Sequence, residues 1–244
     1  MDEINFWPRV IEFIRQRDPV FLSKIEGVPD DAISALMTKY SITLPAAYIM
    51  FLQLMGTNSN GFNLFGPTQD HHFSTIVKRM NDYREATGQF FPVAIETGKS
   101  EEVMHDYYLD LLHSDGKDAP LQRFEQIIPV DEDSLLETSE TFCERIISSV
   151  SYYFGLRSLA AQSVIRMQEP GAYQEVLSLL LSMGLMSTLP MLERVSCLKG
   201  GPLLILVEVD DIGGMLTLTF GSNDPKAVKT LSKQLLSNPL TKLK

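Results

Sequence analysis

Ile42-Thr43-Leu44-Pro45-Ala46-Ala47-Tyr48-Ile49-Met50-Phe51-Leu52-Gln53-Leu54-Met55-Gly56 decides the fold. It reads as a short extended lead, a Leu-Pro step, one compact helix and a glycine stop. The polar turn Thr57-Asn58-Ser59-Asn60-Gly61 follows. Proline suits the first helical position, where its missing N–H would be unpaired anyway. Tyr48, Phe51, Leu52 and Met55 recur at i, i+3, i+4 and i+7, a single apolar stripe. These residues are therefore expected to be buried, with Gly56 supplying a left-handed residue that ends the helix.

Working outward, Trp7–Gln16 carries Trp7, Val10, Ile11 and Ile14 on one side and predicts a first helix. Asp30 is expected to cap a second, with Ile33, Leu36, Met37 and Tyr40 at helical spacing. Gly61–Gly66 reads as a short strand. Asp70 is expected to cap a further helix bearing Phe73, Ile76, Val77, Met80 and Tyr83. The pattern then becomes strand-like over Phe90–Ile95, Val103–Leu111, Leu121–Phe124 and Ile127–Val130. Turn-forming clusters such as Ser114-Asp115-Gly116 separate these runs. Short connections imply antiparallel neighbours. A helix from Thr138, with Phe142, Ile146, Val150 and Tyr153 on one side and Gly155 as its stop, closes the series. Helices, a meander and a closing helix make an α+β arrangement.

The same residues resemble the signature of the SUKH superfamily (the Smi/Knr-type domain): a helix, then Leu-Pro-x-x-Tyr-x-x-Phe-Leu, then a glycine-asparagine turn. The resemblance covers roughly residues 25–155. Phe91-Pro92-Val93-Ala94, Tyr107-Tyr108-Leu109-Asp110-Leu111 and the Ile128-Pro129 to Phe142 segment look like the family's later strands and last helix. Where the family usually has glutamate, glycine and asparagine, this chain has Met37, Ser41 and Met55. The resemblance implies an antiparallel sheet flanked by helices in a domain spanning 1–156.

Residues 157–244 lie outside it and read as an α+β extension of helix, hairpin and helix. Gly171–Met183 looks helical. Leu203–Val209 and Met215–Phe220 flank Asp210-Asp211-Ile212-Gly213-Gly214, a hairpin signal with glycine for positive φ. Lys226–Leu236 reads as a last helix.

Hydrophobic residues make up 44% and charged residues 21%, which fits a packed chain and not a disordered one. Met1–Phe6 has neither a basic nor an apolar leader segment, so no secretory signal is expected. Val176–Leu189, interrupted by serines, falls short of the roughly 20 residues needed to span a bilayer. Cys143 and Cys197 lie far apart, and two thiols without a leader fit a reducing cytoplasm. Cys143, on an apolar helix face, reads as a small buried hydrophobe.

The net charge of −10 is unevenly distributed: residues 1–156 hold 24 acids and 12 bases, residues 157–244 hold 7 and 9. Such an acidic field disfavours nucleic acid and anionic lipid as partners and favours basic surfaces.

Four histidines and two aspartates invite a metal reading. His105 and His113, however, stand eight strand residues apart, roughly 26 Å at 3.3 Å per residue. No metal and no cofactor is expected. Asp106 and Asp110 share a strand face about 13 Å apart, beyond the roughly 5–9.5 Å of a glycosidase pair. They flank Tyr108 and read instead as an exposed acid–aromatic–acid docking strip. Glu101, Glu102, Asp131, Glu132 and Asp133 are expected as rim charges. No nucleophile elbow, phosphate loop, dinucleotide fingerprint or His-Glu-x-x-His helix occurs, so no enzymatic activity is expected.

Bacterial SUKH proteins are mostly immunity proteins that bind and block a cognate toxin, commonly a nuclease. The resemblance implies that role. The acidic front domain is consistent with it independently, because nucleases present basic clefts to phosphate. A regulatory scaffold, as in fungal relatives that act in cell-wall signalling, is the alternative.

Overall fold

The computed structural model describes residues 6–82, 88–97, 105–125, 135–136, 140–168, 172–209 and 215–238. The chain divides into two compact units, one of Val20–Arg145 and one joining Met1–Pro19 to Ile146–Lys244. This differs from the contiguous split at 156/157. The first helix, α1 (Phe6–Arg17), belongs with the distant C-terminal half, where Phe6, Trp7, Val10, Phe13 and Ile14 are buried. An amphipathic stripe specifies that a helix is covered, and sequence order does not say by what.

The central unit contains α2 (Asp30–Tyr40), α3 (Ala46–Met55), β1 (Gln69–Asp70), α4 (Phe73–Asp82), β2 (Phe90–Glu96), β3 (His105–Asp110), β4 (Leu121–Glu125) and β5 (Leu135–Leu136). Its sheet runs β1-β2-β3-β4-β5 and every pair is antiparallel. This is the expected α+β meander. Pro92 lies inside β2, and the register shifts between Pro92 and Ala94. A bulge is where a central strand tolerates a residue that cannot donate to the ladder. The expected strand Ile127–Val130 lies outside the described residues.

α3 is the centre of this unit. Tyr48, Phe51 and Leu52 are fully buried, as their spacing predicts. The Tyr48 ring sits 5.8 Å from Phe91 on β2 and 5.2 Å from Phe142, and Phe51 lies 5.6 Å from Phe142, all three contacts edge-on. Edge-to-face aromatic pairs add to the burial of their area. Pro45 is the N-cap and not the first helical residue (φ −63°, ψ 146°). The amides of Ala46 and Ala47, which a helix start leaves unpaired, donate to the Gly116 and Lys117 carbonyls.

Gly56 corrects a second expectation. Its φ is −70°, so it is not left-handed. Glycine is needed there for space, because a Cβ would lie 2.8 Å from both the Leu52 carbonyl oxygen and a Val28 methyl. Left-handed backbone occurs instead at Asn60 and Gly61, and at Ser41 (φ 53°), the position where the SUKH pattern has glycine.

Asp30 is the first residue of α2, whose N-cap is Pro29 without a side-chain cap. Its carboxylate accepts from Gln53 Nε2 at 2.7 Å. Gly61–Gly66 is a loop and not a strand. Asn63 Oδ1 accepts from the amides of Phe65 and Gly66, an alternative to a ladder that asparagine offers readily.

The Tyr48 hydroxyl is buried with no hydrogen-bond partner. An unsatisfied buried polar group costs stability. Tyr48→Phe is therefore expected to raise stability by about 1 kcal/mol, read as a higher urea midpoint with an unchanged slope. A lower midpoint would show that the hydroxyl has a partner in solution.

The second unit holds β6 (Ala161–Met167), α6 (Tyr173–Ser182), β7 (Met186–Ser187), β8 (Val195–Gly200), β9 (Leu203–Val209), β10 (Leu216–Ser222) and α7 (Pro225–Ser237), besides α1. Its antiparallel sheet is ordered β6-β10-β9-β8-β7. The predicted pairing of β9 with β10 is present, with Val207 opposite Leu218. The turn residues 210–214 lie outside the described residues. α7 starts at Pro225, one residue before the expected Lys226, with Asp224 as the N-cap accepting from the Lys226 amide at 2.9 Å. The unit is richer than helix, hairpin and helix: β6, β7 and β8 extend the hairpin to five strands. Ile205 and Val207 face α6 and α7, while Leu204 points the other way, toward Phe13 and Gly155.

The division between units falls within the closing helix, α5 (Phe142–Val150), which continues as a π-helical turn, Ser151–Gly155. Its expected start at Thr138 lies outside the described residues. Thr141 and Glu144 form a capping box: Thr141 Oγ1 accepts from the Glu144 amide and Glu144 Oε2 accepts from the Thr141 amide. Among the described residues, no helix is long and apolar enough to cross a membrane.

Candidate functional site

Asp106, Tyr108 and Asp110 share one face of β3, as strand alternation requires, but that face is not exposed. All three are buried. Tyr108 packs edge-on against Phe124 of β4 at 5.3 Å, and Phe90 of β2 meets the same ring at 5.0 Å. The three rings form a small core of their own. The exposed docking strip is thereby corrected.

Each carboxylate is buried because it is paired. Asp106 Oδ2 accepts from Arg79 Nη2 of α4 at 2.6 Å, and Oδ1 from the Glu96 amide at 2.9 Å. A buried charge held by a cation and an amide avoids much of the cost of an isolated one. Burial nevertheless raises the Asp106 pKa, with the Glu96 amide and Arg79 opposing it. Asp110 Oδ1 accepts from the amides of Leu112 and His113, and Oδ2 contacts His113 Nδ1 at 2.6 Å. It therefore shapes the turn after β3. Arg79 is the residue that sequence reasoning missed. A single arginine in a helical stripe gives no hint of which strand its head will meet.

Glu101, Glu102, Asp131, Glu132 and Asp133 lie outside the described residues. The described carboxylates of this unit that face solvent are Glu26, Asp30, Asp31 and Asp115. With the units drawn as the structure draws them, Val20–Arg145 contains 20 Asp and Glu against 9 Lys and Arg, a balance of −11. The other unit has 11 against 12, a balance of +1. The acidity is a property of the central unit alone.

His71, His72 and His113 form no common site among the described residues. His72 Nδ1 pairs with Asp70 Oδ1 at 2.6 Å, and Asp70 Oδ2 accepts from Thr75 Oγ1; Asp70 therefore steadies the start of α4 from β1, and is not the N-cap expected of it. His71 is buried between Phe51, 5.6 Å away, and the stacked ring of His72, 5.3 Å away. Neither of its ring nitrogens has a hydrogen-bond partner. Burial, assisted by the neighbouring His72, lowers its pKa to about 4, against a smaller pull from Asp70. It is thus neutral at physiological pH. Among the described residues, no group of three or more His, Cys, Asp or Glu is placed to hold a metal ion.

Both cysteines are buried and unpaired, in line with the reading of Cys143 as a small hydrophobe. Burial raises both thiol pKa values, for Cys143 with the Asp118 carboxylate adding to the effect. Asp118 accepts from the amides of Ala119 and Cys143, tying the loop before β4 to α5. No protein-family model matches the chain, and no curated protein matches it.

Proposed function

We propose that this chain is an immunity-type binding protein that neutralises a cognate toxin, a basic nuclease, in the cytoplasm. It acts by occluding the toxin's active surface, with no bond made or broken. The observation that carries the reading is the confinement of the acidic excess, −11, to the central unit. That unit is also the one whose Leu-Pro helix and meander resemble the SUKH domain. A basic cleft built to hold phosphates is complementary to such a field, which also accelerates encounter. The contacts fall to solvent-facing carboxylates such as Glu26 and Asp31, since Asp106 and Asp110 are committed internally.

Co-expression with the product of the adjacent upstream gene tests this, scoring survival and co-purification. Survival with a complex whose association slows as salt rises is the expected result. Charge reversal at Glu26 and Asp31 should slow association further. Survival without any complex would point to an enzymatic antidote, and failure to protect would remove the support for that pair.

A further inference from the structure

The second unit contains a pocket of about 340 Å³ whose chemistry is opposite to that of the acidic unit. Arg17, the last residue of α1, and Lys199, near the end of β8, both line it. Its walls are Phe154, Leu159, Leu203 and Leu204. Among the described residues, no carboxylate lines it.

The guanidinium is held in place before any ligand arrives. Arg17 lies flat over the Phe13 ring, 3.4 Å from its centroid, and Nη1 donates to the Phe13 carbonyl at 3.1 Å. That bond uses one of five N–H donors. The others find no acceptor among the described residues. Gly155 keeps the space beside them clear: a Cβ there would lie 3.7 Å from Arg17 Nε and 2.4 Å from a Leu204 methyl. Partial burial pulls the Arg17 pKa below its ordinary value, with Cys197 opposing the shift. Arg17 and Lys199 thus place two cations on the rim of one small volume. An anion in the pocket takes up the remaining donors of the Arg17 fork.

We propose that this pocket binds a carboxylate carried on a compact apolar group, with the Arg17 fork and the Lys199 ammonium as counter-charges. The volume is at the small end of ligand sites. Four apolar walls favour a branched or aromatic group of a few carbons over a bare inorganic ion. A free organic acid and the C-terminal residue of a peptide share this chemistry.

The experiment is an amide-resolved NMR titration of the full chain with 4-methylpentanoate, with 4-methylpentanamide as the uncharged control. The acid should produce saturable shifts at Lys199, Gly201 and Leu204, and the amide should bind at least about tenfold more weakly. Arg17→Gln should weaken binding of the acid by about tenfold or more. Lys199→Gln is the second variant, since Lys199 is exposed and its loss does not threaten the fold; it should also weaken the acid and leave the amide unchanged. Equal shifts with acid and amide, shifts centred elsewhere, or a Lys199→Gln protein that binds like the parent would overturn the proposal. Gly-Gly-Leu with a free terminus separates the sources: tighter binding than the free acid identifies a peptide terminus, weaker binding an organic acid.

Discussion

Replacing Asp106 by alanine is expected to destabilise the protein by about 3 kcal/mol, the lower end for breaking a buried ion pair. The change strips Arg79 of the carboxylate at 2.6 Å and the Glu96 amide of its acceptor at 2.9 Å. Both side chains of the pair are largely out of water, Arg79 at 18% and Asp106 at 10% exposure. A largely buried Arg79 cation beside Tyr108 that has lost this carboxylate is costlier than the missing attraction itself. It follows that removing both charges should be far milder. Asp106→Leu with Arg79→Met is expected within about 1 kcal/mol of the parent, because an apolar pair of similar volume avoids both desolvation penalties. Urea unfolding of Asp106→Leu, Arg79→Met and the double variant closes the cycle. A single Asp106→Ala loss below about 1 kcal/mol, less than a typical hydrogen bond to a charged group, would mean that the pair is solvated.

Stability should also fall as the solution is acidified from pH 6.5 toward 4, by up to about 3 kcal/mol through His71. The folded pKa of this residue is about 4 against an ordinary 6.5. In that window the unfolded chain binds a proton that the folded chain refuses, so protonation favours unfolding. The contribution is fully present above pH 6.5 and lost as pH falls to the folded value. Asp70 and His72 are the charged neighbours: the first eases protonation of His71 and the second opposes it. Asp106 and Asp118 respond in the opposite sense, since burial raises their pKa values and makes protonation easier in the folded state. The difference between parent and His71→Phe isolates the histidine. The variant should match or exceed the parent at pH 7.5, having lost two unpaired nitrogens, and should lose the slope between pH 6.5 and 5. Parallel curves would show that His71 titrates normally.

The parts of the fold that were legible are those in which local pattern and tertiary role agree. The Tyr48–Phe51–Leu52–Met55 stripe admits one reading, and so do the apolar runs on either side of residues 210–214. Gly61–Gly66 was misread because a run of Phe and Leu between glycines suits a strand and an Asn-organised loop equally well. β8, Val195–Gly200, carries Ser196, Cys197 and Lys199 and lacks the alternation that announces a half-buried strand. The candidate site failed for a different reason. Alternation correctly placed Asp106, Tyr108 and Asp110 on one face, but whether that face meets water depends on α4 and on Arg79. Nothing local to β3 encodes either. The Arg17–Lys199 pocket was equally invisible, since its two cations are separated by 182 positions and brought together only by the pairing of the chain's ends.

That pairing sets the order in which the protein can be made. The unit Val20–Arg145 is complete once its own residues have left the ribosome, whereas α1 is made before it and depends on strands made after it. Roughly 190 residues separate α1 from β9, whose Leu204 meets Phe13 beside Gly155, which at about 5–20 residues per second is on the order of 10–40 seconds of synthesis. For that interval Phe6, Trp7, Val10, Phe13 and Ile14 have no native surface to cover them. A nascent chain stalled anywhere in between would display this stripe, which a completed chain keeps covered.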